Sequence, residues 1–214
     1  MISAILLSAG ESKRMNSAKA LLPANGETFI RYALNTLLKT NVDDIVIVTG
    51  AYQAEIEAEI FNTLNEIPIK AYADRKFLLA NNKTVTIKWN PFFSTGMMSS
   101  IQQGINALNY STEAFFITLV DLPFLKAEDY ELLTENYFTN KTKLSRFLNE
   151  DSPSHPVLIS ASFIPEILTQ PKIDQGCSFL FKKYPQDVFN LKSSITRGQI
   201  DIDTPEDYHA HFSS

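Results

Sequence analysis

"SAILLSAGESKRMNSAK", residues 3–19, opens the chain with an apolar run that leads directly into a loop of small and basic residues. Apolar residues on consecutive positions are typical of a strand that is buried on both faces of a parallel sheet. The loop that follows carries three basic side chains, Lys13, Arg14 and Lys19. A parallel strand that ends in such a loop predicts an α/β fold with a binding function at this end of the strand.

The start of this loop has little side-chain bulk. Ala9 and Gly10 let a ligand approach the backbone closely. Backbone N–H groups of such a loop can hold a phosphate, and Lys or Arg adds positive charge. The loop matches neither the GxGxxG pattern of dinucleotide-binding proteins nor the Walker pattern GxxxxGK[ST]. By itself it is therefore either an anion site or an ordinary loop with solvated basic residues.

Strand and helix patterns alternate along the first part of the chain. Four apolar runs predict strands at residues 3–8, 44–49, 84–88 and 115–120. A spacing of 3.6 residues between apolar positions predicts helices at residues 29–39, 53–64, 98–108 and 126–138. This alternation predicts a single-domain α/β fold with a doubly wound, mostly parallel sheet.

The pattern is less regular elsewhere. Residues 68–83 are compatible with a second helix, or with a helix and a turn. Later segments predict strands at residues 143–148, 156–159 and 199–202, and helices at residues 161–168 and 177–183. A last helix opens with "DTPEDY", where Thr204 is suited to the N-cap position. No linker or repeat divides the chain, so residues 1–214 are expected to form one domain.

The composition limits the class of protein. The chain has 214 residues, of which 44% are hydrophobic and 20% charged, and these proportions support a folded core. Its net charge of −5 disfavours binding to nucleic acids or anionic membranes. No apolar run is long enough for a membrane span, and no signal-peptide pattern precedes the first strand. The single cysteine, Cys177, fits a reducing compartment, so a cytoplasmic protein is expected.

Carboxylates and hydroxyls lie at the ends of several predicted elements. Asp121 follows an apolar strand in "LVDLPFL", and Asp201 and Asp203 lie in "DIDTPEDY". Each of these carboxylates is either a helix cap or a metal ligand. Ser99 and Ser100 begin a predicted helix, where a hydroxyl either caps the helix or contacts a bound base.

Five segments follow one another in the order of a known family's motifs. They are "LSAGESKRMNSAK" at 7–19, "NPFFSTGMMSSIQQG" at 90–104, "DLPF" at 121–124, "SHPVL" at 154–158 and "DIDTPEDY" at 201–208. The chain resembles the MobA-like NTP transferases of molybdenum cofactor biosynthesis, and within them the cytidylyltransferase branch. This resemblance implies a Rossmann-like, GT-A-like fold. It also implies a nucleotide-binding part at about residues 1–125 and an acceptor-binding part at about residues 126–200.

The resemblance also implies a reaction. CMP from CTP, or another nucleoside monophosphate from its NTP, would pass to a phosphate group of an acceptor such as the molybdopterin cofactor. Pyrophosphate would leave, and Mg²⁺ would be the cofactor. A molybdoenzyme or chaperone that receives the product is implied as a further partner.

Individual roles follow from the same resemblance. It implies Lys19, Arg14 and Asp121 as catalytic residues, Asp121 and Asp203 as metal ligands, and His155 as an acceptor-binding residue. The implied nucleotide-binding residues are Ser8, Ala9, Gly10, Arg14, Lys19, Ser100 and Gly104. These types suit the reaction, because positive charge stabilises a leaving pyrophosphate and Mg²⁺ keeps waters, so that one or two carboxylates suffice.

Some positions depart from the family's pattern and leave parts of this interpretation open. The departures are Ser8, Asn16, Val120, Leu122 and Ser154. They remove no charged group, but a methylerythritol phosphate or a sugar phosphate is an alternative acceptor. A non-catalytic nucleotide-binding protein is the alternative of another class. The methyl group of Ala9 would narrow the space for the nucleotide base and so favours CTP over a purine nucleotide. The oligomeric state stays open, as does the question whether Asp201 contributes to the metal site.

Overall fold

The computed structural model describes residues 1–15, 17–24, 26–73, 75–149, 152–192 and 197–212. Its strands are β1 (Ile2–Ser8), β2 (Pro23–Ala24), β3 (Glu27–Thr28), β4 (Asp44–Thr49), β5 (Ile69–Ala73), β6 (Lys76–Leu79), β7 (Thr84–Trp89), β8 (Ala114–Leu119), β9 (Leu144–Asn149), β10 (Ser152–Ser160) and β11 (Val188–Lys192). Its α-helices are α1 (Phe29–Lys39), α2 (Gln53–Asn65), α3 (Met97–Ile105), α4 (Ala127–Asn140), α5 (Ile164–Leu168), α6 (Ser178–Lys183) and α7 (Pro205–Phe212). None of the helices in this part of the chain has the length and apolarity that a membrane crossing requires.

Nine of the strands form one sheet in the order β11-β9-β10-β8-β1-β4-β7-β6-β5. At its centre β8, β1, β4 and β7 are parallel to one another. Within this sheet β6 and β10 run opposite to the other strands. The fold is therefore α/β with a large, mostly parallel sheet, which confirms the predicted fold class.

Helices cover both faces of this sheet, and the alternation within β1 shows why. Ala4 and Leu6 pack into an apolar cluster with α1, α2 and α4. Ile5 and Leu7 pack into a second cluster with α3, α5 and α6. Because successive side chains of a strand point to opposite faces, a continuous apolar run is what a strand needs to serve two cores. This is the doubly wound arrangement that the sequence predicts.

The order of the strands reverses beside β1. The chain proceeds from β1 to β4 and then to β7, but afterwards returns to β8 on the other side of β1. Helices α1 and α2 lie on one face, whereas α3, which makes the return, lies on the other. In α/β sheets, ligands bind beyond the carboxyl ends of the strands at such a reversal. The loop after β1 and the residues after β8 both reach this place.

Two predictions for the less regular segments are wrong, and one strand was not predicted. The described residues 68–73 and 75–83 form no helix: β5 and β6 make an antiparallel hairpin at the sheet edge, in which Phe77 and Leu79 are buried. Strand β11, which no prediction included, pairs with β9. At residues 199–202 the structure has no strand; a 3-10 helix, Arg197–Gln199, is followed by an irregular segment. Ile202 anchors that segment, because its side chain is fully buried in the cluster below α1.

Candidate active site

A cleft of about 470 Å³ lies beyond the carboxyl ends of β1 and β8. Its walls come from the loop after β1, the first turn of α3 and the residues after β8. Seven of the ten predicted site residues line it, namely Ser8, Ala9, Gly10, Arg14, Lys19, Ser100 and Asp121. The cleft therefore lies where the reversal of strand order places a ligand site.

The loop after β1 fixes the backbone position from which the Lys19 side chain extends. Ser12 has a left-handed backbone (φ 51°), and its carbonyl oxygen accepts the N–H of Met15 at 2.9 Å. The hydroxyl of Ser12 accepts the N–H of Lys19 at 3.1 Å. A 3-10 helix, Lys19–Leu21, begins at this point. These contacts of Ser12 direct the lysine into the cleft, where 12% of its side chain is exposed.

Lys19 joins the two carboxylates that the sequence predicts as metal ligands. Its Nζ donates to Asp121 Oδ2 at 3.3 Å and also to Asp203 Oδ1. Arg14 Nη2 donates to the other oxygen of Asp203 at 2.5 Å. Ile202 N donates to the carbonyl oxygen of Asp121 at 3.1 Å, which ties the two acidic segments together. Two basic and two acidic side chains therefore meet at one end of the cleft.

The start of α7 holds Asp203 in place. Asp207 Oδ2 accepts the N–H groups of Asp203 at 3.2 Å and of Thr204 at 2.8 Å. In return, the Thr204 hydroxyl accepts the N–H of Asp207 at 3.2 Å. This reciprocal pair satisfies N–H groups that a helix start leaves free, and it confirms Thr204 as the cap. The "DTPED" sequence thus orients the carboxylate of Asp203 while it starts the helix.

Burial and charge shift the two carboxylates in opposite directions. Burial raises the pKa of Asp121 above its usual value, and the neighbouring Lys19 offsets this only in part. Burial acts in the same direction on Asp203, but the hydrogen bond and charge of Lys19, together with Arg14, outweigh it and lower the pKa of Asp203. The ionised form of Asp121 is therefore costly, and a further cation at this place would stabilise it.

The two carboxylates fit a divalent cation. Asp121 Oδ1 is buried and hydrogen-bonds no group in the described part of the chain. Such an oxygen is available to a ligand. Mg²⁺ binds oxygen ligands and usually keeps several waters, so that Asp121 and Asp203 suffice on the protein side. The described residues include no group of three or more His, Cys, Asp or Glu side chains suited to a metal.

The residues predicted to contact the base lie on one side of the sheet. Ala9, with 5% of its surface exposed, belongs to the apolar cluster below α3, and Ser100 projects from α3 itself. Ser8 precedes Ala9 in the strand alternation and therefore points to the opposite face, towards α1. The Ser8 hydroxyl is buried and has no hydrogen-bond partner within the described residues. Ala9 and Ser100 thus share a wall of the cleft from which the Ser8 side chain points away.

Two predicted site residues are not brought to the cleft. Gly104 lies where α3 crosses β1, and a Cβ there would come within 2.5 Å of Ile5 Cγ2. Its lack of a side chain therefore serves helix packing, and Gly104 is not among the residues that line the cleft. His155 lies on β10, with Nδ1 at 3.3 Å from the carbonyl oxygen of Ile117. Burial lowers the pKa of His155, which favours the neutral imidazole.

Two residues near the cleft are not among the site residues that the sequence predicts. Asn90 is fully buried and hydrogen-bonds both Ser99 and Ser100. Its place in "NPFF", directly after a predicted strand, was the available signal. Asp174 lines the cleft, and its Oδ1 accepts the N–H of Met97 at 3.4 Å, at the start of α3. It lies in an irregular segment without periodicity, so no sequence signal pointed to it.

Comparison with known proteins identifies the family of this chain. The family model described as the MobA-like NTP transferase domain matches residues 4–188. The chain belongs to this family. The MobA-like domain thus includes the loop after β1, Ser100 and Asp121, whereas Asp203 lies beyond the matched residues.

Two curated relatives align with this MobA-like chain over almost its full length. Nicotine blue oxidoreductase of Paenarthrobacter nicotinovorans is 26% identical over 96% of the chain and 93% of its own length. Molybdenum cofactor cytidylyltransferase of Escherichia coli K12 is 25% identical over 97% of the chain and 93% of its own length. Membership of this family indicates a nucleotidyltransferase. The names of the two relatives give different activities.

Solved structures show the same fold. Rv0371c of Mycobacterium tuberculosis H37Rv superposes with a TM-score of 0.76 at 18% identity, covering 100% of this chain and 98% of that one. The same protein in complex with manganese superposes with a TM-score of 0.67 at 16% identity, again covering 100% and 98%. The MobA-like chain therefore has the Rossmann-like, GT-A type architecture that the sequence predicts.

Proposed function

We propose that the protein transfers CMP from CTP to a phosphate group of a small-molecule acceptor, such as the molybdopterin cofactor, and releases pyrophosphate. The contact of the Lys19 ammonium with both Asp121 and Asp203 supports this proposal best. A phosphate-binding cation and two oxygen ligands for a metal thereby meet in one cleft. The relative from Escherichia coli that is named a molybdenum cofactor cytidylyltransferase supports the choice of substrates.

The proposed step is an in-line displacement. An oxygen of the acceptor phosphate forms a bond to the α-phosphorus of the nucleotide, while the bond to the bridging oxygen of pyrophosphate breaks. The electron pair and its negative charge move onto pyrophosphate. Lys19 and Arg14 supply positive charge beside that leaving group, and the backbone of Ala9 and Gly10 approaches the phosphates. Catalysis of this kind depends on positioning and on preorganised charge.

A divalent cation completes this proposed site. Asp121 and Asp203 would hold it, and Mg²⁺ would neutralise phosphate charge when bound. The unpartnered Asp121 Oδ1 and the cost of ionising this largely buried carboxylate support the assignment. A structural neighbour that is described as a complex with manganese also supports a divalent cation as the cofactor.

The remaining assignments concern the base and the acceptor. Ala9 and Ser100 line one wall of the cleft, and we assign the base to that wall. We assign the acceptor to the part of the domain at about residues 126–200, where a neutral His155 can exchange hydrogen bonds with it. A molybdoenzyme or chaperone would receive the product, and the reaction would take place in the cytoplasm.

A turnover assay tests the function. The purified protein is incubated with Mg²⁺, CTP labelled at the α-phosphate, and molybdopterin, methylerythritol phosphate or a sugar phosphate. We expect pyrophosphate release and labelled product only with molybdopterin, and neither with the Asp121→Asn variant. Product from another acceptor would reassign the substrate and keep the transferase. Tight CTP binding without turnover on any acceptor would instead support the non-catalytic alternative.

A further inference from the structure

Asn90 lies directly after β7, and the direction of its side-chain amide is fixed by a backbone group. Its Oδ1 accepts the N–H of Phe92 at 2.9 Å. A backbone N–H can only donate, so the atom that faces it must be the amide oxygen. The other end of the amide is therefore the NH₂ group, which has two protons to donate and no capacity to accept. Asn90 is fully buried, so these protons need partners within the protein.

The first partner, Ser99, is occupied by the backbone. Its hydroxyl donates towards the carbonyl oxygens of Phe92 at 2.9 Å and Gly96 at 2.8 Å. Asn90 Nδ2 donates to the same oxygen at 2.9 Å. Because carbonyl oxygens can only accept, the Ser99 proton is directed at them. Ser99 therefore fastens the start of α3 to the turn after β7 and has no donor left for a ligand.

The second partner, Ser100, is in a different situation. Asn90 Nδ2 donates to its Oγ at 2.9 Å. Among the described residues no carbonyl or carboxylate accepts the Ser100 proton. Ser100 also lines the cleft, which Ser99 does not. The Ser100 hydroxyl therefore accepts a hydrogen bond from Asn90 on the protein side. Its own proton is available for a hydrogen bond to a ligand in the cleft.

We propose that Asn90 is a positioning residue that fixes Ser100 as a hydrogen-bond donor to the base of the bound nucleotide. This inference rests on the proposed function, in that it takes the occupant of the cleft to be a nucleotide. A fixed donor selects a base that presents a carbonyl oxygen or an unprotonated ring nitrogen at this point. The edge of cytosine presents both, side by side, which agrees with CTP as the substrate. A base that offers only a donor there leaves the hydroxyl unpaired and is rejected.

Asn90→Asp is the variant that separates positioning from packing. It keeps the shape of the side chain and an oxygen that accepts the Phe92 N–H, but it removes both donated protons. The Ser100 proton then turns towards the new carboxylate and away from the cleft. Ser100→Ala removes the hydroxyl itself. Ser99→Ala is the matched control, because it removes a hydrogen bond to the same amide but no group that lines the cleft.

Binding of CTP is compared with binding of inorganic tripolyphosphate, both with Mg²⁺, by calorimetric titration. Tripolyphosphate carries the phosphates without a base, so it reports on the phosphate site alone. We expect Asn90→Asp and Ser100→Ala each to weaken CTP binding by about tenfold, the size of one hydrogen bond, and to leave tripolyphosphate binding unchanged. The double variant should bind CTP no more weakly than Ser100→Ala, because both changes remove the same interaction. Ser99→Ala should lower the melting temperature without changing the ratio of the two affinities.

Several results would overturn the inference. One is an equal loss of CTP and tripolyphosphate binding in Asn90→Asp, which would show a purely structural role. Others are additive losses in the double variant, or unchanged CTP binding. Should Asn90→Asp not fold, Asn90→Ala, which buries no charge, takes its place with the same expected pattern. Failure of the unmodified protein to bind CTP would instead reject the proposed function and this inference together, and is seen before any variant is made.

Discussion

Lys19 Nζ lies 3.3 Å from Asp121 Oδ2, although 102 positions separate the two residues in the sequence. They follow β1 and β8, adjacent parallel strands whose carboxyl ends lie at the same edge of the sheet. In the free protein Lys19 compensates the charge of a largely buried carboxylate, which is otherwise costly. In the nucleotide complex we expect a divalent cation to take over that carboxylate and Lys19 to turn to the phosphates. The lysine thus links the stability of the free site to its catalytic use.

Lys19→Ala should therefore reduce turnover sharply. Loss of one such electrostatic contact in the transition state typically costs about 10²–10³-fold in kcat. Lys143→Ala is the matched control, since this exposed lysine pairs with Asp187 and does not line the cleft. Steady-state rates of both variants with CTP and Mg²⁺ make the comparison. A near-normal rate for Lys19→Ala would remove this residue from the catalytic set.

Arg14→Ala should have a smaller effect. The Arg14 side chain is 65% exposed, and its contact with Asp203 is screened by water. We expect a loss of less than about tenfold in kcat/KM, the equivalent of roughly 1 kcal/mol. The salt dependence of the rate distinguishes the two residues, because screening weakens exposed charges more than buried ones. A loss as large as that of Lys19→Ala would show that Arg14 binds the reacting phosphates directly.

Mg²⁺ or Mn²⁺ should stabilise the protein when nucleotide is present. At a ligand concentration about 100 times its Kd, binding stabilises a fold by about 2.7 kcal/mol, or roughly 5–10 °C in Tm for a domain of this size. Asp121→Asn and Asp203→Asn should each lose most of the part of this shift that depends on the metal. The measurement is a thermal melt with CTP, with and without the metal. A metal-dependent shift that survives both substitutions would place the cation elsewhere.

Cys177 should be inert as a thiol in the folded protein. It is buried in the cluster below α3, and burial raises its pKa to about 12. Because the folded pKa is raised above the usual value of 9.0, this group favours the folded state below pH 9 and loses that contribution between pH 9 and about 12. The melting temperature should therefore fall more steeply with rising pH across this range for the unmodified protein than for Cys177→Ala. Rapid labelling by a thiol reagent at pH 8 without unfolding would contradict the assignment.

The parallel strands at the centre of the sheet were predictable because each of them is recognisable from its own apolar run. A strand buried on both faces must be largely apolar, as residues 45–48 are, and the predicted bounds 44–49 agree with β4. The edge hairpin of β5 and β6 has no such requirement. Apolar and polar residues alternate only in part along it. Its turn includes Arg75 at a φ of 62°, a conformation that the residue type does not predict. Strand β11 likewise depends on pairing with the distant β9.

The candidate site divides in the same way. That Lys19 and Asp121 converge follows from topology, because loops at the carboxyl ends of neighbouring parallel strands must meet. Asp203 was reached through the family's motif, since its segment forms no strand and is placed by a hydrogen bond from Ile202. The place of Asn90 directly after a strand is visible in the sequence, but its role depends on the turn that brings the N–H of Phe92 to its amide oxygen. Such contacts are set by the tertiary structure and leave no periodic signal.

The base preference is the last prediction, and it depends on the methyl group of Ala9. Ala9 and Ser100 line the same wall, so the methyl group narrows a slot in which Ser100 pairs with the edge of the base. We therefore expect CTP to bind more tightly than GTP or ATP in titrations of the four NTPs with Mg²⁺. Ala9→Gly should widen the slot and reduce the discrimination against purines by roughly 5- to 150-fold, because shape contacts of this size are worth roughly 1–3 kcal/mol. Tighter binding of GTP or ATP by the unmodified protein would reject the cytidylyl assignment and leave nucleotidyl transfer standing.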